Sequence, residues 1–322
     1  MTLRCAVIGV GYLGRFHAQK YQQLSRAKLV AVVDVSFETS QRVAKELGVA
    51  AYQDHKQLFG LVDVVSIATP TPFHYAIARD CLEAGIHVLI EKPITDTVAH
   101  ANTLIALAHK QGLKLQVGHL ERFNTAYTSA APHITRPLFI ETSRLAPYNP
   151  RGTDVNVVLD LMIHDLELIQ TWVKSPIIHI DAYGASVLSK HIDIANVRLH
   201  FENHCIANVT ASRISFKTER KARIFQEDAY LSLDYHQKQF AKFTKSNAPL
   251  PSGLPEIISH RPTLAPKDAL LTEIEAFLMS VAQDTPPLVT GAEGRDALAT
   301  ALMITDLIQH HQIALQHLHE PA

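Results

Sequence analysis

The chain has 322 residues, a formal net charge of −1, 47% hydrophobic and 19% charged residues, the profile of an ordinary globular protein with material for two domains. So balanced a charge excludes the basic footprint of a nucleic-acid binder and a polybasic membrane anchor. No apolar run is long enough to span a bilayer, and the first residues lead into a strand rather than a secretory leader.

The opening segment carries most of the information. An apolar run, Cys5-Ala6-Val7-Ile8, precedes Gly9-Val10-Gly11-Tyr12-Leu13-Gly14, then a helical pattern, then Leu29-Val30-Ala31-Val32-Val33 ending at Asp34. Strand, glycine turn, helix and acidic strand end together form a dinucleotide-binding fingerprint. Gly9 permits the sharp turn, Gly11 lets a pyrophosphate approach the backbone, and Gly14 brings the helix close to the sheet. The amides of Tyr12 and Leu13 belong to the helix N-terminus that faces the phosphates. Asp34 accepts hydrogen bonds from the ribose and repels a 2′-phosphate, so NAD is expected and NADP is the less favoured cofactor.

Strands are expected near Leu3–Ile8, Lys28–Val33, Val64–Ile67, His87–Ile90 and Lys114–Val117, alternating with helices near Tyr12–Leu24, Phe37–Leu47, Phe73–Ala84 and Asp96–Lys110. Short apolar strands alternating with helices predict a doubly wound α/β sheet, a Rossmann domain over residues 1–121. Thr69-Pro70-Thr71-Pro72 and Glu91-Lys92-Pro93 follow strands at the carboxyl edge, where ligands bind. Thr69 and Pro70 suit the nicotinamide side, and Lys92 suits polarisation of a hydroxyl or carbonyl oxygen. His74, one turn into the next helix, reads as a structural rather than a catalytic residue, and it is counted with Glu91 among the cofactor contacts. In Gly118-His119-Leu120-Glu121-Arg122-Phe123, Gly118 suits a close approach; His119 and Arg122 are substrate-contact candidates, with an interdomain salt bridge the competing reading for Arg122.

Beyond residue 121 the pattern changes. Strand-like segments recur near Leu138–Arg144, Ile177–Tyr183, Ile194–Phe201, Cys205–Ser212, Arg223–Glu227, Leu231–Tyr235 and Phe240–Thr244, with a hairpin turn at Phe201–Cys205. This predicts an α+β domain over residues 122–322 with an open, mainly antiparallel sheet, one apolar helix near Val157–Val173, closing helices near Asp268–Gln283 and Gly294–Gln312, and an exposed loop over Ser246–Pro266. On the apolar helix Asp160, His164 and Glu167 share one stripe, and charge there is costly unless it faces partners or a cleft. A carboxylate beside an imidazole makes a general base, whereas a satisfied Asp–His pair bridging helix and sheet is the alternative. Tyr148, Arg151 and Asn156, just before this helix, are further substrate-contact candidates. The three cysteines stand apart in apolar contexts and predict buried thiols in a reducing compartment, the cytoplasm by default. The histidines near the C-terminus lack ligand spacing, so no metal is expected.

Taken together, the fingerprint, Thr69-Pro70, Glu91-Lys92-Pro93, Gly118 to Phe123 and Asp160-x-x-x-His164-Asp165 resemble the glucose-fructose oxidoreductase, inositol dehydrogenase and MocA (Gfo/Idh/MocA) family over essentially the whole chain. The resemblance implies a catalytic set of Lys92, Asp160 and His164, a nicotinamide cofactor, and homodimers or homotetramers built on the C-terminal sheet. Gly118-His119-Leu120-Glu121-Arg122-Phe123-Asn124 and Val158–Leu166 look most like the UDP-N-acetylglucosamine 3-dehydrogenase branch, which usually has Asn-Pro where this chain has Asn124-Thr125. The expected activity is NAD-dependent oxidation of a secondary sugar hydroxyl, in particular the 3-hydroxyl of a UDP-N-acetyl-amino sugar. The alternatives are an inositol or free-sugar dehydrogenase, or a catalytically silent NAD-binding regulator.

Overall fold

Strand β1 (Leu3–Ile8) lies inside a six-stranded sheet of order β3-β2-β1-β4-β5-β6 in the computed structural model, which describes residues 2–149, 155–249 and 255–318. Its partners are β2 (Ala27–Val33), β3 (Ala50–Tyr52), β4 (Val64–Ile67), β5 (His87–Glu91) and β6 (Leu115–Gly118). Every pairing is parallel, as expected. All four residues of β4 and of β6 are buried, which is why these strands read as continuous apolar runs. The order reverses between β1 and β4, and ligands in such sheets bind outside the strand ends at that switch.

Helices α1 (Tyr12–Gln23), α2 (Phe37–Leu47), α3 (His74–Glu83) and α4 (Val98–Gln111) fill the connections. The chain divides into two compact units, Met1–Phe123 with Asp268–Leu298, and Asn124–Lys267 with Ala299–Ala322. The first break falls close to the expected boundary at residue 121. The return of Asp268–Leu298 to the first unit differs from the reading of 122–322 as one domain. Its physical reason is α7 (Ala269–Gln283), whose Leu270, Ile274, Phe277 and Leu278 complete the core formed by Val7, Tyr21 and Leu89.

The second unit holds an eight-stranded sheet of order β14-β13-β12-β11-β7-β10-β9-β8. Its strands are β7 (Pro137–Leu145), β8 (Ile177–Ala185), β9 (Ile194–Phe201), β10 (Ile206–Ser212), β11 (Glu219–Gln226), β12 (Ala229–Asp234), β13 (Gln239–Pro249) and β14 (Pro255–His260). All neighbours are antiparallel except β10 and β7. The predicted β9–β10 hairpin is present, with His204 at φ 67° in its turn. The loop expected over Ser246–Pro266 is corrected in part: β13 runs on to Pro249 and pairs with β14, residues 250–254 lie outside the described residues, and 261–266 form no helix or strand, as expected. Pro255 is tolerated as the first residue of β14, which is an edge strand.

α5 (Thr125–Ala130) packs against β12 and β13. The apolar helix is interrupted, with a π-helical turn over Val158–Met162 followed by α6 (Ile163–Val173). α8 (Gly291–Leu318) closes the described chain. Among the described residues no helix is long and apolar enough to cross a membrane. All three cysteines are buried free thiols, and burial pushes Cys5 and Cys81 up to about 12 and Cys205 to about 11, so they are inert rather than reactive.

Candidate active site

In the first unit the glycine turn is tightly packed at two of its three glycines. Gly9 has φ +82°, and a Cβ there would meet the Ala68 carbonyl oxygen at 2.8 Å. A Cβ on Gly14 would stand 1.8 Å from the Gly9 oxygen, so helix and turn touch backbone to backbone. Gly11 has open space around the position of a Cβ. It precedes α1 without any side-chain cap, so the first-turn amides of Tyr12, Leu13 and Gly14 are presented to a ligand, with Tyr12 77% exposed beside them.

Asp34 ends β2 with its carboxylate fixed by two backbone amides, Val10 N–H on Oδ2 and Ser36 N–H on Oδ1, both at 3.0 Å. A cavity of about 490 Å³ opens here, lined by Gly9, Gly11, Asp34, Val35, Gln53, His55, Thr69, Pro70 and Phe73 among others, with no lysine or arginine in its lining. The Thr69 hydroxyl is buried without a hydrogen-bond partner among the described residues. An open glycine cradle, uncapped amides, a fixed carboxylate and an orphaned hydroxyl fit the adenosine and pyrophosphate of a dinucleotide. The absence of a cation from the lining fits NAD rather than NADP. Gln53 and His55 were not anticipated from the sequence, because β3 is only three residues long and carries no strong periodic signal.

His74 is buried, with Nδ1 2.8 Å from the Pro93 carbonyl and Nε2 2.8 Å from that of Thr69. It therefore ties the Thr69 loop to the segment after β5. Burial lowers its pKa, while the two carbonyls and the charge of Glu91 act in the opposite direction. Glu91, counted among the cofactor contacts, instead turns its side chain inward: Oε1 lies 2.9 Å from His17 Nε2. A Cβ on Gly118 would stand 2.9 Å from Cδ and from both oxygens of that carboxylate, so the close approach at Gly118 is made by Glu91. Lys92 follows, half-buried, and the Lys92–Pro93 peptide is cis.

The two substrate-contact candidates after β6 are buried. His119 is 1% exposed, and burial, reinforced by the cations of Lys92 and Arg122, pulls it down to about 3. Arg122 donates to Glu293 Oε1 at 3.3 Å and to the Leu288 carbonyl at 3.1 Å. Both partners belong to the same unit, so these two contacts brace that unit.

In the second unit Asp160 and His164 are half-buried on a helix whose Val157, Val158, Met162, Ile163 and Asp165–Ile169 are all buried. Asp160 sits in the π-helical turn, a feature concentrated at functional positions. Glu167, expected on the same stripe, is buried and accepts from the Thr171 hydroxyl at 3.2 Å. Arg144 donates from Nε and Nη2 to the two oxygens of Asp165, each at 2.9 Å, and pins the start of α6 to β7. Asn156 caps the π-helical turn, its Oδ1 accepting from Leu159 N–H at 2.9 Å, and its amide donates to Thr305 at 3.3 Å, so it holds the helix start. Tyr148 is 41% exposed. Arg151 lies outside the described residues.

The model for an oxidoreductase family with an NAD-binding Rossmann fold matches residues 3–119, and the GFO/IDH/MocA C-terminal domain matches residues 116–232. The chain belongs to the Gfo/Idh/MocA oxidoreductase family. Within that family it is 38% identical over 304 residues to UDP-N-acetylglucosamine 3-dehydrogenase of Acidithiobacillus ferrooxidans, covering 94% of this chain and 96% of that one. A solved structure of GnnA, the enzyme of that name from the same organism, superposes with a TM-score of 0.90 at 35% identity, covering 96% of this chain and 99% of the other. A solved structure at lower identity shares the fold: scyllo-inositol dehydrogenase from Lactobacillus casei, solved with NAD(H) and scyllo-inositol, superposes with a TM-score of 0.79 at 22% identity, covering 97% and 98% of the two chains.

Proposed function

We propose that this NAD-dependent sugar dehydrogenase oxidises the 3-hydroxyl of UDP-N-acetylglucosamine or a closely related UDP-N-acetyl-amino sugar, and that it works in the cytoplasm. The observation that carries this reading is the 38% identity to a UDP-N-acetylglucosamine 3-dehydrogenase over 94% of the chain, against 24% over 92% for a myo-inositol 2-dehydrogenase from Thermotoga maritima.

Bound NAD supplies the hydride acceptor. His164 takes the hydroxyl proton as general base, and Asp160, one turn earlier, orients the imidazole. Lys92 hydrogen-bonds the reacting oxygen as charge develops on it. The π-helical turn at Asp160 supports its part in this assignment, since it alters the angular offset between Asp160 and His164 from that of a regular helix.

Homodimers or homotetramers form in this reading through the C-terminal sheet. Supporting it, Phe139, Phe225, Tyr230 and Phe243 stack in a row across β7, β11, β12 and β13 with ring centroids 5.8, 4.9 and 5.3 Å apart. Arg223 lies over two of these rings and Arg261 over a third. Light scattering on the purified chain tests the assembly.

Ligand-dependent melting tests the substrate. UDP-N-acetylglucosamine with NADH raises the melting temperature by mass action, and myo-inositol or glucose with NADH adds nothing beyond NADH alone. Protection by the free polyols instead would favour the inositol or free-sugar reading.

A further inference from the structure

Glu273 stands on the inward stripe of α7 between Leu270 and Ile274, with no exposed surface. Neither of its carboxyl oxygens has a hydrogen-bond partner among the described residues. An ionised carboxylate so placed would carry a large desolvation penalty with nothing to offset it, so the group holds a proton. Burial, then the negative charge of Glu91, pushes its pKa well above the usual carboxylate range.

α7 packs against α1, β5 and the turn that follows β6. The titratable groups on those elements are Tyr12, Arg15, His17, Lys20 and Tyr21 from α1, His87 and Glu91 from β5, and Glu121 and Arg122 from the turn; Tyr12 and Arg15 are exposed, and Lys20 pairs with Asp268 at 2.8 Å. Tyr21 is engaged with the Ser66 hydroxyl at 2.8 Å, and Arg122 with Glu293 and Leu288. Glu91 is held from two other directions: His17 Nε2 lies on one oxygen, and the Gly118 backbone lies against the carboxylate so closely that no side chain fits there.

We propose that Glu273 is a positioning residue, whose proton is directed at the Glu91 carboxylate so that Glu91, and with it the adjoining Lys92, keeps one arrangement. The proposal rests on the assignment of Lys92 to the reacting oxygen. A neutral carboxyl beside a charged one is the stable state of two acids that share a buried space. The O–H of Glu273 donates toward Glu91 through one buried water, while His17 occupies Oε1. No contact of Glu273 with substrate is involved; it acts through Glu91.

Two variants of the full chain and one spectrum test this. Glu273→Leu holds or raises the melting temperature, because a buried acid is exchanged for an apolar side chain of similar volume. In the same variant kcat falls about 10- to 100-fold while NAD affinity is retained, the signature of misplaced reacting groups. Glu273→Gln, which keeps a donor of the same shape, recovers most of that loss. A merely structural residue would give Glu273→Leu wild-type kcat, and that result overturns the proposal, as does a Glu273→Gln variant no better than Glu273→Leu. Infrared spectra of the wild-type protein at neutral pH show the carbonyl band of a protonated carboxyl that Glu273→Gln lacks; absence of the band overturns the proposal whether or not the leucine variant folds. Lys92→Ala keeps this band, so wild-type turnover in Lys92→Ala rejects the Lys92 assignment separately from the state of Glu273.

Discussion

Asp165, the residue after His164, receives Arg144 in a two-pronged ion pair, Nε to Oδ2 and Nη2 to Oδ1, with the two side chains only 2% and 3% exposed. The pair spans β7 and α6, and it fixes the helix on the residue adjoining the proposed base. Removing one partner takes from the other a two-pronged buried ion pair, so Arg144→Met lowers stability by about 3–5 kcal/mol. The double variant Arg144→Met, Asp165→Leu recovers part of that loss because both ends of the pair are replaced by apolar side chains. Urea unfolding of the three proteins measures both effects.

The glycines of the turn separate folding from cofactor binding. Gly11→Ala meets nothing within 4 Å, so its melting temperature stays close to that of the wild type while NADH binding, read by fluorescence, is lost or strongly weakened. Gly14→Ala drives a methyl group to 1.8 Å from the Gly9 oxygen, so it destabilises the unit itself. Equal stability in the two variants would contradict the close helix–turn packing.

Cofactor choice follows from Asp34. Its carboxylate is held by Val10 and Ser36 amides, and Val35 beside it is 89% exposed. Asp34→Ala with Val35→Arg removes the repulsion of a 2′-phosphate and adds a cation for it. The ratio of kcat/KM for NAD to that for NADP falls by about tenfold or more, each tenfold corresponding to about 1.4 kcal/mol.

Acid sensitivity has a named source in His119. Its folded-state pKa of about 3 lies below the ordinary 6.5, so the unfolded chain binds the extra proton first as pH falls. The stability associated with its neutral ring is therefore fully present above pH 6.5 and is lost progressively toward pH 3. Melting curves across that window fall less steeply for His119→Asn than for the wild type.

Most of the first unit was legible because its signals are local. The glycine turn, the acidic strand end and Glu91-Lys92-Pro93 each declare their position within a few residues. What escaped depends on contacts distant in sequence. The return of α7 to the nucleotide sheet is set by Leu270, Ile274 and Phe277 meeting residues of β1, α1 and β5, which no local pattern announces. Glu273 did leave a trace, an acid on the apolar stripe of an amphipathic helix, the same sign that singled out Asp160 and His164. The structural contacts of Arg122 and Asn156 were not legible, because a polar side chain near a proposed site looks the same in sequence whether it binds a ligand or braces the fold.

The most direct measurement is absorbance at the NADH band after mixing the purified chain with NAD and UDP-N-acetylglucosamine, with mass spectrometry of the sugar nucleotide. The account predicts NADH formation matched by a product two hydrogens lighter, with turnover lowered by about 100-fold or more in His164→Ala and in Lys92→Ala while both variants still bind NADH. NADH formed only with inositols or free sugars, or wild-type turnover in either variant, would contradict it.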